Sequence, residues 1–296
     1  MTDKYTFVDT NRRFISYLEK FEEKKKYVVA LDTEANSNRH AYGFQLSLVQ
    51  INDVSDIILV DALQINNRTL RRFFENRNIL KVMYDAPHDI YLLKNANGID
   101  LKSVLDLRPG VELLSFEKKD LHSVIRAELG VKLEKKRKFQ THNWLRRPID
   151  PEALNYAAND VRYLLRLKDI ILSKLHKKKQ MDSFILENLR IQNKDYSEVP
   201  EERYKKVKGF NQLVDSEKKL FQRLYSVRDK YAQLVNMASH NLINNQLLLR
   251  MAKHELTPGE LRFPKRINRE IIPDIVRELD REFKATPEVS LVDERL

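Results

Sequence analysis

The stretch KYVVALDTE at residues 26–34 indicates the fold class, because a β-branched apolar run leads directly into two acids. Residues 44–51, FQLSLVQI, alternate in hydropathy as a second strand does, and a polar loop at 36–42 precedes them. Further along the chain, short apolar runs alternate with amphipathic stretches. These predict strands at 57–60, 80–84 and 104–107, and helices at 68–76 and 87–97. We therefore expect an α/β domain.

Beyond residue 107 the predicted strands stop and helices follow. One helix is predicted at 120–129, and another runs from Asp150, a favourable N-cap residue, to about residue 174. From residue 210 onward the pattern predicts amphipathic helices alone, which indicates a small all-α domain. The predicted organisation is an α/β domain at 1–180, a linker at 181–208, a helical domain at 209–288 and a tail at 289–296.

The composition favours a soluble, cytoplasmic protein with a polyanionic partner. The 296 residues carry a formal net charge of +11 and a pI near 9.5, as nucleic-acid-binding chains often do. There is no cysteine, which excludes disulfides and cysteine-ligated metals and fits a reducing compartment. No apolar run approaches the roughly 18 residues of a membrane span, and the first residues lack a signal-peptide core.

Four acids and a tyrosine form a candidate catalytic set. Asp32 and Glu34 lie two apart at the end of a predicted strand, so both carboxylates point to the same side of the sheet. Tyr156 and Asp160 lie four apart on one predicted helix and hence on one face. Asp89 lies near the start of another helix. A single tertiary arrangement can bring these groups together.

Clustered carboxylates are the ligands that Mg²⁺ and Mn²⁺ prefer, and a two-metal site stabilises both the attacking and the leaving oxygen of a phosphodiester. A tyrosine beside them can orient the attacking water. Each residue alone also has an ordinary explanation, since acids at strand ends are common turn residues and Tyr156 fits a half-buried helix position. The ordered set as a whole favours a two-metal nuclease.

Three motifs resemble the DEDD superfamily of 3′-5′ exonucleases, and most closely the ribonuclease D family. The motifs are LDTE with LSLVQI, then KVMYDAPHDIYLLKNANGIDLKSVLDL, then NWLRRPIDPEALNYAANDVRYLL, and together they span about residues 25–170. The histidine branch of the superfamily carries its base five residues before the last acid, where this chain has Asn155. Tyr156, four before Asp160, therefore indicates the tyrosine branch, called DEDDy.

The resemblance implies a fold, a site and a reaction. The fold is an RNase H-like mixed sheet flanked by helices. Asp32, Glu34, Asp89 and Asp160 would bind two divalent metal ions, Mg²⁺ or Mn²⁺, and Tyr156 would position the nucleophilic water. The reaction is hydrolytic trimming of RNA 3′ ends with release of nucleoside 5′-monophosphates. The implied partners are transfer-RNA precursors and small structured RNAs, and a monomer is the favoured oligomeric state.

Some positions depart from the family pattern. Asp85 occupies a position where relatives usually carry a small or amide residue, and His142-Asn143 replaces a usual Ser-Asp pair. We expect His88 and His142 to contact substrate or solvent rather than metal. Residues 209–285 resemble the helical HRDC domain, a nucleic-acid-binding module of which bacterial ribonuclease D often has two; this chain has room for one.

A basic and aromatic stretch precedes the third motif and is the predicted RNA-contacting region. Phosphates attract its cations, and bases stack on aromatic rings. The predicted contact residues are Lys135, Lys136, Arg137, Lys138, Trp144, Arg146 and Arg147. The alternative is a solvated basic loop with Trp144 packed in the core.

Three other functions share these features. The same site could trim DNA, which matched RNA and DNA substrates would reveal. A eukaryotic exosome-associated exonuclease has both domain types, although 296 residues without long extensions favour a bacterial enzyme. A non-catalytic RNA-binding protein on the same fold is the third alternative, and the intact acid set disfavours it.

Overall fold

The computed structural model describes residues 5–24, 27–133, 137–198 and 200–285. The chain divides into two compact units. The first comprises Met1–Ser37 and Phe44–Ser197, and the second comprises Asn38–Gly43 and Glu198–Leu296. None of the helices in the described ranges is both long and apolar enough to cross a membrane.

The first unit is built on one mixed, six-stranded sheet. Its strands, in chain order, are β1 (Thr6–Val8), β2 (Val28–Ser37), β3 (Phe44–Asn52), β4 (Ile57–Asp61), β5 (Leu80–Met83) and β6 (Val104–Asp106), and their order across the sheet is β1-β4-β3-β2-β5-β6. Strand β3 pairs antiparallel with β2 and β4, and the other pairs are parallel. The predicted α/β fold is confirmed. Strand β2 continues to Ser37, beyond the predicted loop start at residue 36.

Helices cover both faces of this sheet. They are α1 (Asn11–Glu23), α2 (Asn67–Phe74), α3 (Pro87–Asn97), α4 (Arg108–Leu113), α5 (Leu121–Leu129), α6 (Arg137–Gln140), α7 (Pro151–Arg162), α8 (Leu164–Lys177) and α9 (Met181–Asn193). The single helix predicted from residue 150 to 174 is two helices that separate at Tyr163. Asp150 caps α7 as predicted, because its side chain accepts a hydrogen bond from the backbone N–H of Glu152 at 2.7 Å.

Two apolar cores hold the sheet between these helices. One contains Phe14 of α1 and Phe73 of α2, and the other contains Ala157 of α7 and Leu167 of α8. Strand β2 contributes to both cores because its side chains alternate between the faces. The catalytic candidates therefore lie on a strand that is fixed from both sides.

The interval predicted as a linker at 181–208 contains an ordered helix. Phe184 of α9 is buried in the same core as α7, and Asn188 accepts a hydrogen bond from the backbone N–H of Asp106 at 2.7 Å. The prediction was therefore wrong for α9, which belongs to the first unit. The exposed side of this helix carries polar residues together with the apolar side chains of Ile185, Leu186 and Leu189.

The second unit is helical, as predicted. Its α-helices are α10 (Asp215–Leu234), α11 (Ser239–Leu242), α12 (Asn245–Ala252) and α13 (Ile272–Lys284). Its core contains Phe221, Leu248 and Ile275. Tyr42 packs against this core and donates a hydrogen bond from its hydroxyl to Asp229 at 2.6 Å.

Candidate active site

Strand β2 carries Asp32 and Glu34 near the middle of the sheet. Asp32 is opposite Gln50 and Glu34 is opposite Leu48 on β3, and the register shifts by a β-bulge between Glu34 and Ala35. Bulges bend a strand and redirect its side chains, and they are frequent next to active sites. The bulge lies directly after the second acid, so the pair precedes the point where regular pairing is interrupted.

Helix α3 places Asp89 against the same strand. Asp89 is in the first turn of the helix, is 8% exposed and accepts a hydrogen bond from the Thr33 hydroxyl, so the residue between the two β2 acids holds the third acid. The chain turns into α3 through Asp85, whose φ of 63° lies in the left-handed region. The buried Asp106 carboxylate fixes this turn by accepting from the backbone N–H of Asp85 at 2.8 Å and of Ala86 at 3.0 Å.

Helix α7 brings Tyr156 and Asp160 to the acids of β2. Asn52 of β3 anchors the end of the helix, since its side-chain amide donates to the carbonyls of Val161 at 3.2 Å and Arg162 at 3.1 Å. Asp160 is 8% exposed. The structure thus brings all five predicted residues together, although they come from three separate elements.

The pKa values in the cluster reflect four neighbouring acids that have limited contact with solvent. Burial, and then repulsion from Asp89, Asp160 and Glu34, raises the pKa of Asp32 well above its usual range. Burial, followed by repulsion from Asp160 and Asp89, likewise raises the pKa of Glu34. Burial raises the pKa of Asp89 to about 6, against the opposing effect of the Thr33 hydrogen bond. The cluster holds more negative charge than the protein around it neutralises.

The phenol of Tyr156 lies close enough to the acids to be affected by their charge. Burial, and then the negative charges of Asp160, Glu34 and Asp32, raises the pKa of its phenol well above the usual range of a tyrosine. The hydroxyl therefore keeps its proton at neutral pH. Its ring packs against Phe139, with the two ring centroids 5.1 Å apart, which fixes the direction of the hydroxyl.

His122 belongs to the site, and sequence reasoning missed it. Its Nε2 lies 3.3 Å from Oδ1 of Asp160, and its ring centroid is 6.2 Å from that of Tyr156. The hydrogen bond opposes the burial that raises the pKa of Asp160. A lone histidine in the first turn of α5 has no distinctive spacing, so only its proximity to the third motif in space identifies it.

The four carboxylates fit divalent cations by their chemistry. They are mutually repelling oxygen donors, of which Asp89 and Asp160 are buried and Asp32 and Glu34 are partly buried, and a hard cation is the partner that relieves such repulsion. In the described ranges, no three His, Asp or Glu side chains already surround a single point as metal ligands do. The donor set therefore matches the predicted ions, and the side chains must adjust to hold them.

The basic stretch before α7 differs from its prediction at two residues. Trp144 is only 4% exposed and belongs to the core, so it offers no free face for a base. Arg147 forms a two-pronged ion pair with Asp61, with Nε–Oδ2 and Nη2–Oδ1 distances of 2.7 and 2.6 Å, and also donates to the Trp144 carbonyl. A single sequence does not show that Arg147 pairs with Asp61, which lies 86 positions away in the chain.

The other predicted contact residues are either exposed or have side chains that the structure does not describe. Arg146 is exposed, and Lys138 is exposed with its ammonium paired to Glu152. Lys135 and Lys136 lie outside the described residues, and the Arg137 side chain is likewise not described. His88 is exposed at the start of α3, and His142 packs beside Trp144 with ring centroids 4.9 Å apart.

Comparison with known proteins defines the class first. A family model described as 3′-5′ exonuclease matches residues 5–176, which includes all of the candidate catalytic residues. The chain belongs to this 3′-5′ exonuclease family. Apart from Asn38–Gly43, the matched segment belongs to the first unit.

Ribonuclease D and RRP6 proteins are among the relatives to which the chain is similar. Ribonuclease D of Desulfotalea psychrophila is 33% identical over 241 residues, which are 79% of this chain and 63% of the relative. The chain thus spans less than two thirds of that relative. The catalytic core of RRP6 from Trypanosoma brucei superposes with a TM-score of 0.78 at 21% identity, over 96% of this chain and 80% of that one. RNase D of Escherichia coli gives 0.75 at 21% identity, over 97% and 77%.

Proposed function

We propose that this protein is a metal-dependent 3′-5′ exoribonuclease of the DEDDy group that removes nucleotides one at a time from RNA 3′ ends. The observation that supports this most is that Asp32, Glu34, Asp89, Asp160 and Tyr156 lie together in one partly buried cluster. Structured RNA is the proposed substrate class. The Escherichia coli relative is described as an exoribonuclease involved in structured RNA processing, and transfer-RNA precursors are RNAs of that kind.

The four acids are the proposed ligands of two Mg²⁺ or Mn²⁺ ions, and enzymes of this family are generally divalent-metal dependent. When bound, such ions make a coordinated water more acidic and stabilise the charge on a leaving 3′ oxygen. Asp32 lies at the centre of the set, since three other carboxylates act on it. Its loss therefore removes a ligand and also changes the charge felt by the others.

Tyr156 supplies a hydrogen-bond donor rather than a base. A phenol whose pKa is raised keeps its O–H at neutral pH, so it donates a hydrogen bond to the attacking water or to a phosphate oxygen and fixes its orientation. His122 donates from Nε2 to one oxygen of Asp160, which leaves the second oxygen of that carboxylate for a cation. Residues 209–288 are proposed to be an HRDC-like accessory domain that holds the RNA.

The direct test is hydrolysis of one unstructured oligonucleotide prepared as RNA and as DNA, each labelled at the 3′ or at the 5′ end. With Mn²⁺ or Mg²⁺, 3′-labelled RNA should release labelled 5′-mononucleotide first, and 5′-labelled RNA should shorten stepwise. Chelation with EDTA should stop both. Asp32→Asn should lower the rate by about 10³-fold, because ions that stabilise transition-state charge contribute several kcal/mol.

The matched control is Asp169→Asn, an exposed aspartate on α8 whose change removes the same charge. It should keep the wild-type rate. Internal fragments in place of stepwise shortening would contradict an exonuclease. Faster trimming of DNA than of RNA would instead establish the DNA exonuclease alternative.

A further inference from the structure

The second unit contains a short turn that carries four cations, which we call the basic turn (residues 262–269). Its backbone is closed by a hydrogen bond from the N–H of Ile267 to the carbonyl of Pro264 at 3.1 Å. Ile267 is 5% exposed and packs in the core of the unit, and Phe263 packs against the same core. The apolar side chains thus anchor the turn.

The polar side chains of the basic turn face solvent and have one sign of charge. Its four cations are all exposed: Arg262, Lys265, Arg266 and Arg269. Among the residues that the structure describes, none of these four forms an ion pair. The nearest acid in sequence, Glu270, accepts a hydrogen bond from the side-chain amide of Asn268 at 3.3 Å.

The surface formed by α10 and α13 in the same unit is organised differently, and we call it the paired surface. Lys230 of α10 and the three cations of α13 also project into solvent, but each of these four has an acid partner. The pairs are Lys230–Glu278 at 2.7 Å, Arg277–Asp274 at 3.2 Å, Arg281–Glu282 at 2.9 Å and Lys284–Asp280 at 2.5 Å. Positive charge is therefore balanced on one surface and unbalanced on the other.

We propose that the basic turn binds the sugar-phosphate backbone of the substrate RNA. This proposal rests on the proposed function, because it takes RNA as the substrate. Exposed cations without acid partners gain most from neutralising phosphates, and three of the four are arginines, whose planar guanidinium groups match phosphate oxygens in pairs. The turn presents no exposed aromatic or apolar side chain, which disfavours base stacking and membrane insertion. The contact should therefore be independent of RNA sequence.

The salt dependence of RNA binding measures this interaction without requiring hydrolysis. The full chain and the quadruple variant Arg262→Gln, Lys265→Gln, Arg266→Gln, Arg269→Gln would be titrated with single-stranded RNA in EDTA, between about 50 and 200 mM salt. Each phosphate that a protein neutralises on a single strand adds about 0.7 to the steepness of log K against log salt. The plot for the variant should therefore be shallower than that for the wild type by up to about 2.8.

The matched control is the quadruple variant Lys230→Gln, Arg277→Gln, Arg281→Gln, Lys284→Gln on the paired surface. It removes the same formal charge and should change the slope by less than about 0.7, the value for one neutralised phosphate. Equal slopes for the wild type and the basic-turn variant, or equal reductions in both variants, would overturn the proposal. Hydrolysis of the same RNA with Mn²⁺ by the wild type tests the proposed function separately. Circular dichroism verifies that both variants are folded.

Discussion

The acid cluster of the first unit and the basic turn of the second carry opposite charges in opposite settings. The acids are enclosed by β2, α3 and α7, and burial together with mutual repulsion raises the pKa of Asp32 and Glu34. The cations of the basic turn are exposed, where water and salt screen them. Buried charges of one sign need specific counter-charges at fixed positions, whereas exposed positive charges attract any polyanion. The first arrangement suits catalysis, and the second suits binding of a polyanion.

Of the substitutions that separate catalysis from RNA binding, Tyr156→Phe should have the largest effect. The substitution removes one hydroxyl and keeps the ring that packs on Phe139. We expect kcat for RNA trimming to fall about 10²-fold, as when one donor to a reacting oxygen is removed. The KM for RNA should change little. Steady-state kinetics measure both quantities, and an unchanged kcat would remove the orienting role.

His122→Ala should give a smaller effect, on metal binding rather than on RNA affinity. Without its hydrogen bond to Oδ1, Asp160 is less well oriented, and removal of such a partner typically costs about 10- to 100-fold in metal affinity. Calorimetric titration with Mn²⁺ would measure it. His122→Gln keeps an N–H donor and should recover part of the affinity. If Ala and Gln variants bind Mn²⁺ as the wild type does, His122 has no such role.

Local sequence patterns predicted the elements that carry the site. Apolar alternation identified β2 and β3, and proline at the start with glycine after the end identified α3 with its observed bounds. Spacing alone paired Tyr156 with Asp160. These predictions succeed because period and capping are local properties that neighbours in sequence determine.

The remaining predictions depended on contacts between distant residues. Helix α9 fell within the predicted linker because a charged run at 177–179 and a polar segment at 192–208 flank it, whereas the burial of its Phe184 and Asn188 depends on the fold. Arg147 resembled an RNA contact by its neighbours in sequence, whereas Asp61 lies beside it in the fold, and His122 has no pattern of its own. Charge composition counts cations and acids, but it does not show which of them are paired in the folded chain.

The pH dependence of the acid cluster follows from the raised pKa values. A carboxyl with a folded-state pKa above its unfolded value binds protons more tightly in the folded chain, so stability is lost as pH rises from the unfolded pKa through the folded one. For Asp89 this window runs from 3.8 to about 6. At neutral pH without metal, the cluster therefore destabilises the fold, and a cation should reverse this.

The thermal stability of Asp32→Asn, compared with that of the wild type with and without Mn²⁺, shows whether these acids form a cation site. In EDTA near neutral pH the variant should be the more stable, because Asn removes a carboxyl whose pKa is raised by burial and by the neighbouring acids, and the difference should shrink as the pH falls. Mn²⁺ should stabilise the wild type and leave the variant nearly unchanged, which reverses the order. A variant that is less stable than the wild type in EDTA, or that gains as much from Mn²⁺, would contradict a cation site built from these acids.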